Sequence, residues 1–331
     1  TLFLALSLSA CTSWQENIFE WGVGVERSMS DLSQHTVTTA SHNWTYLDSL
    51  PALQEEQAEK SDAEIQIDEL ETVIMLHGFA VDKNNWIRFA RDFEGYRVIA
   101  PDLPGHGETS YNEELTYSFL NQTIWLDEFV NKLGLKKFHL VSNSMGGGIA
   151  AFYTQQHQDS VLSLTLMNAA GVHSPEPSAL QKILESGGEN PLIVRSEADF
   201  DRLRAFGMED PIFLPWPAPP VLARRSMVRQ PINDKIFADI TKYSEKVKIT
   251  KENLTILGKI KTPTLIIWGK QDRAIDVSSV DVFEKYLQDS RSIIMDGVGH
   301  GPMIERPYES AGFVLDFIQD VKPAAIHVVS E

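Results

Sequence analysis

The chain has 331 residues, 43% hydrophobic and 23% charged, an ordinary globular composition that excludes a wholly disordered polymer and favours one large core carrying an insertion. Its 46 acidic and 29 basic residues give a net charge of −17, which repels nucleic-acid backbones and anionic lipid and so excludes nucleic acid as a partner. The single cysteine, Cys11, excludes an internal disulfide.

In chain order, the first predicted feature is "TLFLALSLSA", an apolar run too short to span a bilayer and shaped like the core of a signal peptide. Leu8-Ser9-Ala10-Cys11 resembles the bacterial lipobox, in which cleavage precedes a cysteine that carries lipid. That resemblance implies a signal peptide over 1–11, lipidation at Cys11 and stable anchoring by the acyl chains. Thr12 stands where Asp would mark retention in the inner membrane, so the implied location is the outer membrane of a bacterial envelope. A secreted or periplasmic protein with a chance cysteine is the alternative.

Residues 12–71 read as a helix, a hairpin and an acidic loop. In "WQENIFEWGVGVERSMSDLS", Ile18, Trp21, Val25, Met29 and Leu32 recur at helical spacing across Gly22 and Gly24, and this apolar face is expected to pack on the domain. "TVTTASHNWTYLDSL" alternates around a polar break, as a hairpin does. "QEEQAEKSDAEIQIDELE" carries few large apolar groups and is expected to be a solvated loop.

From residue 72 the rhythm changes to short apolar runs: "TVIMLHG", "YRVIAPDLPG", "KFHLVSNS", "SLTLMNAAG", "TPTLIIWG" and "RSIIMDGVGH". Such runs suit strands buried on both faces of a parallel sheet. Helical segments at 84–93, 116–133, 145–157, 277–288 and 307–320 separate most of them, so the fold class is α/β with helices on both faces of the sheet. The strands fall in 72–170 and 262–322, and the intervening 171–261 is too long for a loop, hence an inserted, mostly helical cap. Five prolines in "PIFLPWPAPPVL" argue against regular structure there, and Trp216 in that stretch is a candidate substrate-binding residue of a lid.

The chemistry concentrates in four of these segments. In "FHLVSNSMGGG", centring a strand-to-helix elbow on Ser144 puts small residues, Ser142 and Gly146, two before and two after it; centring on Ser142 would put Leu140 there. Ser144 is therefore the candidate nucleophile, and the Met145 amide at the helix start a candidate oxyanion donor. A serine needs a base oriented by a carboxylate, here in the order Ser, acid, His. Asp272 after "LIIWG" and His300 after "IIMDGVG" fit, with Asp276 and Asp296 as competing acids and Asn168 an uncharged residue at the other acid position. "LHGF" offers the Phe79 amide as the second oxyanion donor and its ring as pocket lining. His77 is read as a hydrogen-bonded brace, and Asp102 and His106 as loop-shaping residues; with no further ligand cluster at useful spacing, no metal is expected.

Taken together, "HGF", "PDLPGHG", "SNSMGG", "WGKQD" and "GVGHGPMIERP" resemble the α/β-hydrolase superfamily over about residues 70–320. The "NSMGG" elbow, "NPLIVRSEADF" and the lipobox followed by a helix resemble the bacterial family V lipases, with Ser142 departing from that family's glycine. The resemblance implies an α/β-hydrolase fold, a Ser144–Asp272–His300 triad, and cofactor-free hydrolysis of acylglycerols or related carboxylic esters, with the membrane reached through a lipid anchor. Two alternatives stand beside it: a serine hydrolase of the ring-fission type that cleaves carbon–carbon bonds, and a non-catalytic envelope binding module built on the same fold.

Overall fold

The structure is a computed structural model that describes residues 2–59, 70–246, 254 and 256–321, with side chains described for 13–55, 70–242, 254 and 256–321. Among the described residues eight strands form one sheet in the order β1-β2-β4-β3-β5-β6-β7-β8. β1 (Ser33–Thr38) and β2 (Asn43–Asp48) make an antiparallel hairpin, and β2 runs antiparallel to β4 (Arg97–Pro101). From β4 onward every pairing is parallel, through β3 (Thr72–Leu76), β5 (Phe138–Asn143), β6 (Val161–Met167), β7 (Thr264–Gly269) and β8 (Ser290–Met295).

The apolar runs are continuous because both faces of the sheet are covered. Ile74, Leu76 and Leu140 point into a core shared with α4 (Phe119–Lys132) and α5 (Met145–Gln156), through Leu126, Phe129 and Ile149. Val73, Met75 and Val141 point the other way, toward Phe89 of the short α3 (Ile87–Ala90) and toward Val314 and Phe317 near the C-terminus. Strands β2 to β7 each supply both cores, and burying a Val, Leu or Ile side chain there contributes about 1.5–3 kcal/mol. β8 departs from the expected burial: among the described residues it is the edge strand of the sheet, and Ile294 is half exposed.

The chain leaves β3 toward β4 on one side and returns to place β5 on the other, so the strand order reverses at β3. A crevice opens outside the carboxyl ends of strands at such a reversal, and ligands bind there in open α/β sheets. The loop after β3 begins at His77 and the turn after β5 at Ser144, so both border it.

Other departures have simple causes. The stretch expected as a helix over 84–93 is a 3₁₀ turn, Lys83–Trp86, running into α3. The acidic stretch expected to be a loop begins inside α2 (Leu50–Glu59), where Glu, Gln and Ala favour a helix, while its residues 60–69 lie outside the described residues. Between β6 and β7 stand α6 (Ala179–Glu185), α7 (Glu197–Gly207) and α8 (Ala218–Lys246). Pro219 and Pro220, expected to prevent a helix, occupy the first turn of α8, where an N–H has no intrahelical acceptor and a proline costs nothing.

The N-terminal helix α1 runs from Leu2 to Ser28. Cys11 falls on it, but the Cys11 side chain lies outside the described residues. Of the apolar row expected to pack on the domain, only Leu32, just beyond α1, does so, buried in the core to which Val23 of α1 also packs. Ile18, Trp21, Val25 and Met29, with Trp14, are exposed, and the polar contacts to the domain come from the opposite, charged face.

Candidate active site

Ser144 joins β5 to α5 with φ 53° and ψ −119°, a conformation that a residue with a Cβ adopts only at a cost of roughly 1–3 kcal/mol. The elbow holds because the neighbouring backbones come unusually close. A Cβ on Gly146 would lie 2.5 Å from the Leu76 carbonyl oxygen and 2.6 Å from that of His77, so no larger residue fits two positions after Ser144. Two residues before it, the Ser142 hydroxyl is buried and donates to the Thr165 carbonyl (2.8 Å), which ties it into the sheet. Of the two serines, Ser144 is the one presented at the end of the strand.

Asp272 and His300 are brought together. His300 Nδ1 lies 2.7 Å from Asp272 Oδ2, and Asp272 is buried in the turn after β7. The other carboxylate oxygen accepts the Ala274 (2.7 Å) and Ile275 (3.1 Å) amides, so the acid cannot swing away. Burial disfavours a charged imidazole, but the adjacent Asp272 carboxylate and its hydrogen bond, aided by the charge of Glu305, hold the His300 pKa above its ordinary value. Asp296 is on the surface, paired with Lys270 and Gln271, and Asp276 accepts the Ser278 amide, so neither competing acid is bonded to the imidazole.

The base is held from both sides along its own backbone. The Asn143 side chain, next to Ser144, donates to the His300 carbonyl (3.1 Å), and the His300 amide donates to the Gly207 carbonyl of the cap (2.7 Å). The elbow, the acid turn and the base loop are therefore cross-linked at the carboxyl ends of β5, β7 and β8.

On the β3 side, a Cβ on Gly78 would meet Asn143 Oδ1 at 3.0 Å and the Ser144 Cβ at 3.1 Å, so the chain bearing Phe79 passes directly against the elbow. Met145 is the first residue of α5, and its amide has no acceptor within the helix. The Phe79 ring packs against Phe237 of α8 (5.5 Å) and edge-on to His106 (6.1 Å). His77 is a brace: Nε2 accepts the Leu103 amide (2.9 Å) and Nδ1 donates to the Gly78 carbonyl (2.7 Å), and burial pushes its pKa down, which keeps it neutral. Asp102 shapes its loop by accepting the Lys83 amide, the Lys83 ammonium and the Glu108 amide, each at 2.8 Å. His106 is also buried, and burial together with the nearby His77 holds it well below the ordinary imidazole value.

A family model described as the alpha/beta hydrolase fold matches residues 71–307. The chain belongs to this family. Lipase 1 of Psychrobacter immobilis is 34% identical to this hydrolase over 73% of the chain and 74% of its own length. Monoacylglycerol lipase abhd6-B of Xenopus laevis is also 34% identical, over 77% of each protein. Among solved structures, a membrane phospholipase A described as a bacterial virulence factor superposes with a TM-score of 0.84 at 34% identity, covering 98% of this chain and 97% of that one.

Two residues of the hydrolase site, Glu305 and Phe237, were not singled out from the sequence, and a third, Asn168, was read there only as an uncharged residue. Asn168 is more than an empty acid position: with φ 45°, it donates to Asp272 Oδ2 (2.6 Å) and the Gly299 carbonyl (3.3 Å) and accepts the Gly269 amide (3.2 Å). Glu305 is buried, and its carboxylate accepts the Gly299 amide of the base loop (2.9 Å) together with the Glu209 (2.8 Å) and Asp210 (3.1 Å) amides of the cap. Its only signal was its place five residues after His300. Phe237, which meets Phe79, had none, because its position in α8 is meaningful only once that helix is folded across the β3 loop.

Trp216 lies elsewhere than expected. Its side chain is 58% exposed and its ring sits 5.0 Å from that of Trp14 on α1, so it stands on the outside of the cap and does not line an enclosed channel. Among the described residues no group of three or more His, Cys, Asp or Glu side chains could hold a metal ion.

Proposed function

We propose that the chain hydrolyses carboxylic esters of lipids, acylglycerols or related acyl esters, through an acyl-enzyme on Ser144. The observation that carries this reading is the buried Asp272–His300 pair pinned by Asn143 to the strained elbow that presents Ser144. The relatives' names, lipase, monoacylglycerol lipase and phospholipase A, support the substrate class.

In the mechanism, neutral His300 accepts the Ser144 proton through Nε2 as the hydroxyl oxygen attacks the ester carbonyl. Asp272 stays ionised, fixes the proton on Nδ1 and stabilises the imidazolium that forms. The Phe79 and Met145 amides take the negative charge developing on the carbonyl oxygen, with Met145 aided by the positive end of the α5 dipole. Imidazolium returns its proton to the leaving alcohol. Water, deprotonated by the same histidine, then cleaves the acyl-enzyme and restores Ser144. No step requires a cofactor.

The envelope location belongs to the same reading. The lipobox resemblance at Cys11 supports a lipid-anchored outer-membrane protein, and intact mass of the mature N-terminus tests it: an unmodified Cys11 would refute anchoring. For the activity, a fluorophosphonate probe should label the Ser144 peptide, and turnover of monoacylglycerols and p-nitrophenyl butyrate should vanish in Ser144→Ala. Labelling at another residue, or unchanged turnover in that variant, would overturn the assignment.

A further inference from the structure

The helix α1 is mounted with its apolar side outward. At ~100° per residue, Trp14, Ile18, Trp21, Val25 and Met29 fall within about 80° of arc. Each is exposed, Trp21 by 73%. The opposite side makes the contacts: Arg225 of α8 reaches Glu16 (2.6 Å) and Glu20 (2.5 Å) and stacks over Phe19, Arg88 and Arg91 share Glu26, and Arg27 donates to Asn84. An amphipathic helix ordinarily does the reverse. A row of this size left in water marks an interaction surface.

The row does not end with the helix. Trp14 touches Trp216, and the same stretch of the cap carries Phe213, 83% exposed. Two elements far apart in sequence thus meet at the Trp14–Trp216 contact, at one end of a row that spans roughly 22 Å along α1.

We propose that this face docks on the surface of a lipid bilayer, α1 lying in the interface with Trp14, Trp21 and Phe213 in the headgroup region. Two features of the molecule favour lipid over a second copy of the chain. Tryptophan suits a membrane–water boundary. The row bears no charge, since the glutamates of this part of the helix point the other way and are paired with arginine. With charges on its inner side, the stretch of α1 from Trp14 to Ser28 lies along the bilayer surface. The net charge of −17 further selects a zwitterionic surface.

The inference is independent of acylation at Cys11 and rests on the ester-hydrolase reading only for why a lipid surface is useful. The test uses the full chain carrying Cys11→Ser, so that no acyl group contributes, with phosphatidylcholine vesicles in a flotation assay. Trp21→Glu and Phe213→Glu should each lower the floated fraction at least tenfold while turnover of soluble p-nitrophenyl butyrate and the melting temperature stay unchanged. Flotation equal to that of the parent in both variants overturns the proposal. So does a parent that sediments as a dimer, becomes monomeric in Trp21→Glu and floats no less. A parent inactive on the soluble ester but with flotation lost in both variants would refute the hydrolase reading and leave the docking face standing.

Discussion

The carboxyl end of the sheet and the outer face formed by α1 and the cap use opposite means of holding their parts. At the sheet end, Ser144, Asp272 and His300 are fixed by buried hydrogen bonds, many of them to backbone amides and carbonyls, from Asn143, Asn168, Ala274 and Gly207. On the outer face, α1 is held by partly exposed ion pairs such as Glu26 with Arg88 and Arg91. The contrast is one of stakes. Buried hydrogen bonds to charged groups are each worth about 1.5–3 kcal/mol and fix geometry, whereas exposed ion pairs contribute ~0–1 kcal/mol and leave a surface free to meet something else.

Substitutions should separate the two regions by size of effect. The largest belongs to the elbow: Ser144→Ala should lower kcat/KM by about 10⁴-fold or more, since triad members act as a unit. Two residues away, Ser142→Ala should cost only about 1 kcal/mol of stability, from the lost bond to Thr165, with kcat/KM within a few-fold. Steady-state kinetics beside thermal melts check both, and the opposite ranking would move the nucleophile.

Next comes the acid. Asp272→Asn should lower kcat by about 10³–10⁴-fold because the amide no longer selects the reactive tautomer of His300. In the unsubstituted enzyme, His300 must be neutral to act as base and its pKa is raised. Activity should therefore fall as pH drops through a midpoint above the ordinary imidazole value, and a kcat/KM profile that titrates below that value would break the pairing.

Glu305 sharpens the comparison, because it bridges the two regions. It touches no reacting atom and is a positioning residue, joining the base loop to the cap through the Gly299, Glu209 and Asp210 amides. Glu305→Gln replaces one accepting oxygen with a donor facing those amides and removes a charge that favours the imidazolium. We expect kcat to fall about tenfold with KM little changed, and the acid limb of the profile to move to lower pH, against a loss of roughly 1–3 kcal/mol in stability. A stability loss with an unmoved acid limb would reduce Glu305 to a merely structural role.

The smallest effect lies on the outer face. Glu26→Gln, which loosens α1 from Arg88 and Arg91, should cost about 1 kcal/mol or less and leave turnover of soluble esters unchanged. Differential melting with a soluble-ester assay measures it, and a loss of several kcal/mol would mean that α1 is structurally integral.

Much of the site was legible because its chemistry sits in short local words. A small residue two positions to either side of Ser144, Asp272 in the turn after one strand and His300 in the loop after another are each readable within a few positions, and the chain order Ser, Asp, His restricts the alternatives. The apolar runs likewise fixed an α/β sheet, because a strand covered on both faces can tolerate few polar groups. What escaped the sequence was everything that depends on which surface meets which. Asn168 gained its role from lying beside Asp272 in the folded sheet, Glu305 from a cap segment nearly a hundred residues away, and Phe237 from the path of α8 over the β3 loop. The periodicity of α1 specified an apolar stripe and a charged stripe; only the tertiary structure decided which faces the domain. The stripe gives the hydrophobic effect no address, whereas Arg225, Arg88 and Arg91 are set by other elements where Glu16, Glu20 and Glu26 can reach them.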